Sequence, residues 1–569
     1  MSRATEVRRA PSSARPRFTI AGGAALALLG AIIPASEFID ALGGNGTETA
    51  GAAHLGAVLF KLGLVMLGLS VVGVGALPLA VAAPQPSGRT VTALRKWEWM
   101  TLLVILAVCV LLCFHRLGDA LWFDEIATYV HYARLPLAQI LTTYDDQNQH
   151  ILYSVLAHAA FVAFGEGAWA LRLPAALLGV GSVWALFLLA RQVASTREAL
   201  LASALLGVSY QLIWFSQNAR GYTGLLFLTL LSSWLFVRGL REARPHLWLL
   251  YAVTVALGTY IHMTMLFVVA GHFIQYCAAC LIGRRQAWAQ RWSVLLYGFG
   301  LAALLTFQLY ALVVPQVLTA FAHAQVLGST WTQPWWAVLE FARGLRLTLS
   351  GSVMALTGMG VFVAGLLGFA RTEPDLVQLL VLPILICLAV KYGMGHHLWP
   401  RSFFFAAGFL VLVVIRGATV LGAAAAQWLR PRSSAAVAFG TALSLAMILA
   451  AARSVPFAYG PKQDFAGALA FVQARKEAGD ALVTVGLTVL PYRTLYPAGA
   501  EEVRNVEALD AVRARARRTW LLYTLPFQLA DADPALMRSI EQNFVVQKQF
   551  AGTLGGGAVF VCRSDHPAP

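Results

Sequence analysis

The segment Leu171–Gln192 has the sequence LRLPAALLGVGSVWALFLLARQ. Between Arg172 and Arg191 it contains no charged residue, and an apolar stretch of about 20 residues is long enough to cross a bilayer as one helix. The whole chain has the same character, because 59% of its 569 residues are hydrophobic and 12% are charged. Soluble domains carry about 25% charged residues. The composition therefore excludes a cytosolic enzyme, a disordered chain and a simple nucleic-acid-binding protein, and it predicts a polytopic α-helical membrane protein.

Further apolar stretches lie on both sides of this segment, and together they predict about 13 transmembrane helices. With 171–192 included, the predicted spans are 19–36, 53–83, 98–115, 171–192, 199–216, 222–239, 246–262, 263–282, 293–313, 352–370, 376–392, 402–425 and 433–453. An odd number of spans places the two termini on opposite sides of the membrane.

Clusters of basic residues predict the orientation of these helices. The net charge of +15 comes mostly from short Arg-rich clusters between the spans. Alternating the thirteen spans puts each cluster on the same side as the N-terminus, and excess positive charge marks the cytoplasmic side. We therefore expect a multi-pass membrane protein with a cytoplasmic N-terminus and a C-terminus on the opposite, external side. The clusters are Arg3/Arg8/Arg9/Arg15/Arg17, Arg89/Arg95/Lys96, Arg191/Arg197, Arg238/Arg241/Arg244, Arg284/Arg285/Arg291 and Arg430/Arg432.

Two parts of the chain are predicted to lie outside the membrane. Residues 150–164 are apolar but short, and counting them as a span would invert every later cluster, so we place them as a juxtamembrane helix in an external loop covering 116–170. From 455 to 569 charges become frequent and helical and strand patterns alternate, which predicts a small external α/β domain. The predicted strands are Ala481–Val485, Trp520–Tyr523, Phe544–Val546 and Ala558–Cys562, and the predicted helices cover 464–478 and 506–517. The remaining regions are 1–96, a tail with two spans, and a membrane core at 97–454.

Acidic residues concentrate in the predicted external loop. Trp122-Phe123-Asp124-Glu125 follows the third span, and Asp145-Asp146 lies shortly before His150. Adjacent carboxylates behind aromatic anchors could bind water, a metal or an acceptor hydroxyl, although an acidic pair alone is more often a solvated loop. Asp145, Asp146 and His150 are the metal candidates, because oxygen and imidazole ligands suit divalent cations. A helix cap with a hydrogen-bonded histidine is the favoured alternative, so no cofactor is assigned.

Four basic residues lie at predicted external helix ends, against the charge bias. Arg172 opens one span, Arg220 lies in the hairpin Gln217–Tyr222, and Lys391 and Arg401 flank Pro400. A single arginine at a helix end is usually an interfacial anchor. Several on the outer face together predict an anion-binding pocket, and phosphate at the membrane surface is the natural ligand.

The order of these motifs resembles a known family. The sequence W-F-D-E, a short external helix, G-x-G-x-W-A-L-R-L-P-A-A-L-L-G and S-Q-N-A-R-G-Y follow one another between 121 and 240. This order resembles the GT-C fold glycosyltransferases around glycosyltransferase family 39, which include protein O-mannosyltransferases and the lipid A aminoarabinose transferase. Pro461–Phe465 is similar to the start of the periplasmic domain of bacterial relatives, so the resemblance implies a protein of the bacterial inner membrane whose C-terminal α/β domain is periplasmic. The two spans before Trp97 are extra, and Gln149–Leu152 lacks the proline found there in many relatives.

The resemblance implies an inverting transfer from a polyprenyl-phosphate-linked sugar to an acceptor hydroxyl on a lipid, glycan or protein. Asp124 matches the family's catalytic acidic residue and is the expected base, while Glu125 would bind the acceptor or tune Asp124. Arg220, Lys391 and Arg401 would neutralise the donor phosphate. Arg172 would join them or orient the acidic loop. Tyr222, His150 and Asp146 are expected near the acceptor or in the loop.

Other function classes remain open. A transporter or flippase for lipid-linked glycans is less favoured, because its charged groups would lie near the bilayer midplane rather than at one face. A polysaccharide ligase using a lipid-linked donor is an enzyme-class alternative. A non-catalytic scaffold for polysaccharide assembly would leave the acidic and basic residues without a role. The chain has no glycine-rich nucleotide-binding motif, so a nucleotide-sugar donor has no support.

Overall fold

The computed structural model describes residues 14–41, 50–76, 92–242, 244–281, 292, 294–322, 352–395, 398–428 and 433–565. These residues form a bundle of apolar helices followed by a small mixed α/β unit. The helices of the bundle, from the N-terminus, are Ala14–Ile32, Ala35–Ala41, Ala50–Ala76, Lys96–Phe114, Phe123–Thr128, Leu137–Thr142, Ile151–Phe164, Ala168–Val193, Thr196–Gly207, Tyr210–Ser216, Tyr222–Arg241, Pro245–Ile261, Met265–Leu281, Leu301–Tyr310, Val314–Ala322, Ser352–Thr372, Pro374–Gly393, Ala407–Trp428 and Ser433–Ala458.

Within the described residues, seven helices are long and apolar enough to cross a membrane, and the number rises to nine if each of two bent pairs forms one span. The protein is therefore a multi-pass membrane protein. The predicted span 199–216 is broken into Thr196–Gly207 and Tyr210–Ser216, which meet at 56°, and Val294–Tyr310 meets Val314–Ala322 at 87°. Five shorter apolar helices, including Ile151–Phe164, accompany them. The count of 13 spans stays a prediction, and parts of the Arg clusters lie outside the described residues.

Two helices at the centre of the bundle bring the loop 116–170 and the turn 217–221 together. Ala168–Val193 and Tyr222–Arg241 pack along most of their length, and small polar residues allow their close approach. The Ser182 hydroxyl donates to the Thr223 carbonyl at 3.3 Å, and the Thr223 hydroxyl donates to the Ala175 carbonyl at 2.9 Å. A hydroxyl inside an apolar bundle needs such a partner, because leaving it unpaired is costly. The N-terminal end of helix Ala168–Val193, which carries Arg172, and the turn before helix Tyr222–Arg241, which carries Arg220, are thereby held side by side.

The C-terminal unit contains a five-stranded mixed sheet with the order β2-β1-β3-β5-β4. The predicted strands are present with slightly shifted bounds, and the pattern missed the three-residue strand β2, which is too short to show alternation. Strand β1 is parallel to β2 and β3, whereas β5 is antiparallel to β3 and β4. The strands are β1 (Ala481–Val485), β2 (Glu501–Val503), β3 (Thr519–Thr524), β4 (Val545–Phe550) and β5 (Val559–Ser564). The helices are Phe465–Gln473, Val489–Thr494, Val506–Arg515, Pro526–Ala532 and Pro534–Asn543.

Candidate active site

The carboxylate of Asp124 lies between two guanidinium groups from distant parts of the chain. Its Oδ2 is 3.1 Å from Nη1 of Arg220 and 3.2 Å from Nη1 of Arg401. Asp124 is in the first turn of the short helix Phe123–Thr128, and its side chain keeps 16% of its surface exposed. Three residues singled out by the sequence are thus brought together. A partly exposed carboxylate beside two fixed cations can act on a hydroxyl compound and an anion at the same place.

Arg220 is positioned by a buried histidine. Nη2 of Arg220 donates to Nε2 of His150 at 2.9 Å, and Nδ1 of His150 is 3.0 Å from the carbonyl oxygen of Ile261. A guanidinium only donates and a carbonyl only accepts, so His150 carries its proton on Nδ1 and is neutral. Burial, together with the nearby charge of Arg220, holds the pKa of His150 well below its usual value. The ring therefore stays neutral and orients Arg220.

The tight turn before helix Tyr222–Arg241 makes room for this arrangement. A side chain at Gly221 would collide with the Ile261 carbonyl and with the ring of His150. The ring of Tyr222 then packs 5.7 Å from that of His150 and 5.2 Å from that of His262. Tyr222 is buried, and its ring also lies 5.0 Å from that of Phe215 and 5.8 Å from the guanidinium carbon of Arg220.

Glu125 differs from its neighbour Asp124 in every contact. Its side chain is fully buried, and it forms a two-pronged ion pair with Arg172, with Nε–Oε1 at 2.7 Å and Nη2–Oε2 at 2.6 Å. The backbone N–H groups of Ala219 and Trp122 also donate to it, at 2.8 and 3.3 Å. Burial alone would raise the pKa of Glu125, but the charge of Arg172 and these hydrogen bonds hold it below its usual value.

The guanidinium of Arg172 binds the loop that carries Asp124 and Glu125, which we call the acidic loop. Besides Glu125, its guanidinium donates to the carbonyl oxygens of Leu117, Asp119 and Ala120 at 3.0, 2.8 and 3.0 Å. Each described contact of the Arg172 fork is therefore to the loop that carries Asp124. Of the two roles that the sequence predicts for Arg172, these contacts support orientation of the loop and not binding of a phosphate.

Lys391 lies at the edge of the same basic group. It is in the last turn of helix Pro374–Gly393, and its charge acts on Arg401 and on His262. It makes no ion pair or hydrogen bond with another described residue. His396 and His397, between Lys391 and Arg401 in sequence, lie outside the described residues.

The predicted metal ligands are not brought together. Among the described residues, no group of three or more His, Cys, Asp or Glu side chains is close enough to hold a metal ion. Both ring nitrogens of His150 face other partners, while Oδ1 of Asp146 accepts from the Tyr132 hydroxyl at 3.2 Å and the Asn148 N–H at 2.6 Å. Asp146 and His150 are therefore parts of the loop's hydrogen-bond network, and the described residues do not support Asp145, Asp146 and His150 as a metal site.

Residues that sequence reasoning did not single out complete the site from the C-terminal unit. The Gln463 amide accepts from the N–H of Phe123 at 3.1 Å and donates to the Thr524 hydroxyl at 3.1 Å. Nζ of Lys462 donates to the Gln217 carbonyl at 2.6 Å and lies 4.9 Å from the ring centre of Trp214. Burial lowers the pKa of Lys462 to about 7. The only sequence signal for these two residues was the segment Pro461–Phe465.

A cavity of about 200 Å³ opens in front of Asp124. It lies between the membrane helices and the C-terminal unit, so both contribute side chains to it. Trp399, which the sequence pattern did not single out, stands beside Arg401, with its ring centre 4.9 Å from the guanidinium carbon. The described residues that line the cavity are Trp122, Phe123, Asp124, Trp399, Arg401, Gln463, Leu487, Leu525, Gln528 and Leu554.

Comparison with known proteins supports the resemblance inferred from the motifs. The family model described as dolichyl-phosphate-mannose-protein mannosyltransferase matches residues 149–310. The matched segment includes His150, Arg172 and Arg220, and it ends before Arg401. The predicted resemblance to this family of membrane glycosyltransferases is therefore confirmed. No curated protein sequence matches the chain significantly.

Solved structures of membrane glycosyltransferases are similar to this chain at low sequence identity. The oligosaccharyltransferase of Archaeoglobus fulgidus in its apo form is 14% identical, with a TM-score of 0.48, covering 82% of this chain and 74% of that one. ArnT from Cupriavidus metallidurans in the apo state is 12% identical, with a TM-score of 0.45 and coverage of 82% and 97%. The same ArnT bound to undecaprenyl phosphate is 14% identical, with a TM-score of 0.40 and coverage of 83% and 98%.

Proposed function

We propose that this protein is an inverting glycosyltransferase that moves a sugar from a polyprenyl-phosphate donor to an acceptor hydroxyl at the periplasmic face of the bacterial inner membrane. The observation that carries the proposal is the Asp124 carboxylate, held between Arg220 and Arg401 at a cavity. An inverting transfer needs one base and one group of cations, close enough to act on the two ends of the same reaction. The donor class follows from the family resemblance.

Asp124 acts as the general base in this proposal. Its carboxylate removes the proton of the acceptor hydroxyl as that oxygen attacks the anomeric carbon of the sugar. The new C–O bond forms as the bond between the anomeric carbon and the phosphate oxygen breaks, and the phosphate leaves with the electron pair. Because the cavity opens directly in front of Asp124, the acceptor reaches the carboxylate without rearrangement of the loop.

Arg220 and Arg401 bind the donor phosphate and neutralise the charge that develops on it. Both guanidinium groups already lie beside one carboxylate oxygen, so a phosphate oxygen can take a similar position between them. Arginine is suited to this role, because its planar fork matches the geometry of a phosphate. Neutral His150 adds no charge and fixes the fork of Arg220, and Lys391 contributes a further positive charge at the edge.

Glu125 and Arg172 position the site rather than react in it. The two-pronged ion pair between them is buried and ties the loop of Asp124 to the start of helix Ala168–Val193. Of the two roles expected for Glu125, acceptor binding or tuning of Asp124, we propose the second, in which Glu125 supports Asp124. A lipid, a glycan and a protein all remain candidate acceptors at this level of the proposal.

Replacement of Asp124 by Asn tests the proposal. The full chain in nanodiscs is given a panel of polyprenyl-phosphate sugars, and both sugar transfer and donor binding are measured. Loss of a general base costs about 10²–10⁴-fold in rate, so Asp124→Asn should lose transfer by that factor and keep donor binding. Asp119→Asn is the matched control, because the Asp119 carboxylate pairs with exposed Arg116. Transfer by Asp124→Asn within a few-fold of the parent would remove Asp124 from the mechanism.

A further inference from the structure

The cavity in front of Asp124 has two chemically different walls. The membrane side supplies three aromatic side chains, the Asp124 carboxylate and the Arg401 guanidinium. The C-terminal unit supplies three leucine side chains, Leu487, Leu525 and Leu554, and two amides, Gln463 and Gln528. We call Leu487, Leu525 and Leu554 the leucine wall. It faces the reacting groups, so it meets whatever is attached to the acceptor hydroxyl.

The leucine wall comes from one edge of the sheet. Leu487 follows β1 by two residues, and Leu525 directly follows β3. Leu554 lies in the turn between β4 and β5, and because β5 is antiparallel to β3, with Val559 opposite Thr524, that turn is at the same edge. The edge beyond the carboxyl ends of parallel strands is where α/β sheets bind ligands. The strand order thus directs this edge at Asp124.

Leu525 is held in a conformation that leucine rarely adopts. Its backbone is left-handed, with φ 49° and ψ 64°, and among the described residues Arg116 is the only other non-glycine residue with a positive φ. Such a conformation persists only where the surrounding structure imposes it, and it is found preferentially at functional sites. Pro526 follows at the start of the next helix, so the chain turns sharply and leaves the Leu525 side chain on the cavity.

The C-terminal unit supplies few polar groups to the cavity. Both ends of the Gln463 amide are already bonded, to the Phe123 N–H and to the Thr524 hydroxyl. Gln528 is half-buried, and its side chain has no hydrogen bond to another described residue. The C-terminal side therefore offers an acceptor an aliphatic surface and one amide. A sugar with hydroxyls on every face would leave most of them unpaired against three leucines, which is costly.

We propose that the leucine wall binds an aliphatic segment of the acceptor, so that the acceptor is a lipid-type hydroxyl compound whose polar part contacts Gln528. This inference rests on the proposed function for the hydroxyl at Asp124. It adds the chemical class of the acceptor, and it assigns acceptor specificity to the C-terminal unit. Leu525 and Gln528 are the residues that distinguish an aliphatic acceptor from a soluble sugar.

Photolabelling of the full chain in nanodiscs tests this assignment without requiring transfer. One probe is a diazirine-bearing aliphatic alcohol and the other a diazirine-bearing hexose, and labelled peptides are identified by mass spectrometry. The alcohol should label the segments of Leu487, Leu525 and Leu554 in a saturable way, in competition with the unmodified alcohol. Saturable labelling of these segments by the hexose and not by the alcohol would overturn the proposal.

Leu525→Gly is the sharpest variant, because glycine adopts the left-handed conformation without steric cost and the fold is kept. Loss of the side chain should reduce alcohol labelling about tenfold or more, given about 0.8 kcal/mol for each buried methylene. Phe527→Ala is the control, because Phe527 is 63% exposed and does not line the cavity. Unchanged labelling in Leu525→Gly, with an unchanged melting temperature, would contradict the proposal.

Labelling also separates this inference from the proposed function. Asp124→Asn should be labelled by the alcohol as the parent is, because the leucine wall is intact. If Asp124→Asn kept transfer activity while alcohol labelling depended on Leu525, the general-base assignment would fail and the leucine wall would stand. If Asp124→Asn lost transfer while only the hexose labelled the leucine wall, the general-base assignment would stand and the aliphatic acceptor would fail.

Discussion

The guanidinium of Arg172 donates to both carboxylate oxygens of Glu125, at 2.7 and 2.6 Å, while Asp124, one residue earlier, faces the cavity. Neighbouring residues on a helix point about 100° apart, so a single helical turn presents one carboxylate to the protein interior and the other to the site. The buried pair fixes the turn, and the turn fixes Asp124. This division of work between two adjacent acids leads to the predictions that follow.

Removal of the Glu125 charge should destabilise the protein. Glu125→Gln leaves the guanidinium of Arg172 buried with only carbonyl partners, and breaking such a pair costs about 3–5 kcal/mol. We expect a clear fall in the melting temperature in detergent, and partial recovery in the double variant Glu125→Gln/Arg172→Met. Glu166→Gln is the control, because Glu166 is exposed and pairs with the Tyr129 hydroxyl. A Glu125→Gln variant as stable as the parent would show that the pair does not hold the loop.

Replacement of the cations beside Asp124 should weaken donor binding. A lost hydrogen bond to a charged group costs about 1.5–3 kcal/mol, so Arg220→Ala or Arg401→Ala should lower donor affinity roughly 10- to 150-fold. Arg→Lys at either position should also weaken binding, because an ammonium cannot reproduce the fork. The two losses should not add, because both groups act on one phosphate. Polyprenyl-phosphate affinity in nanodiscs is the measurement, and Arg134→Lys, at an exposed position, should match the parent. Affinity unchanged in all variants would leave both arginines as interfacial anchors.

The stability of the junction between the membrane core and the C-terminal unit should depend on pH, because Lys462 is buried there. Burial lowers the pKa of Lys462 from 10.5 to about 7, so the folded protein binds fewer protons than the unfolded chain between these values. The stability contribution of Lys462 therefore rises with pH from about 7 upward, by up to about 1.4 kcal/mol per pH unit, and is lowest below pH 7. From pH 6.5 to 9 the melting temperature of the parent should therefore rise relative to that of Lys462→Met. Parallel pH profiles of the two proteins would contradict this assignment.

The predicted orientation can be tested by labelling single cysteines. His246→Cys, at an exposed position at the predicted cytoplasmic end of span 246–262, should react with a membrane-impermeant maleimide only after the cells are opened. Gln542→Cys, on the exposed face of the C-terminal unit, should react from outside. Cys277 and Cys280 are replaced by Ala first, because the other four cysteines are buried. Labelling of His246→Cys in intact cells would show that the topology is the inverse of the predicted one.

The sequence alone determined the class of the protein and the grouping of its charges. Hydrophobicity is a local property of each segment, so the multi-pass membrane class and the positions of four strands could be predicted from the residues. The external basic residues and the family resemblance also predicted that Asp124, Arg220 and Arg401 act together, and the structure places both guanidinium groups within 3.2 Å of the Asp124 carboxylate. Short elements such as β2, and the break within 199–216, were missed because local periodicity does not register them.

The tertiary structure decided the roles of neighbouring residues. Two adjacent carboxylates look alike in sequence, and only the packing of helix Ala168–Val193 against the acidic loop gives Glu125 to Arg172 and leaves Asp124 to the cavity. The same is true of Gln463 and the leucine wall, which meet Asp124 across more than 300 residues of chain. A pattern along the chain records which residues are apolar or charged. Which of them meet depends on helix crossings and strand order, because these set distances that separation in sequence does not.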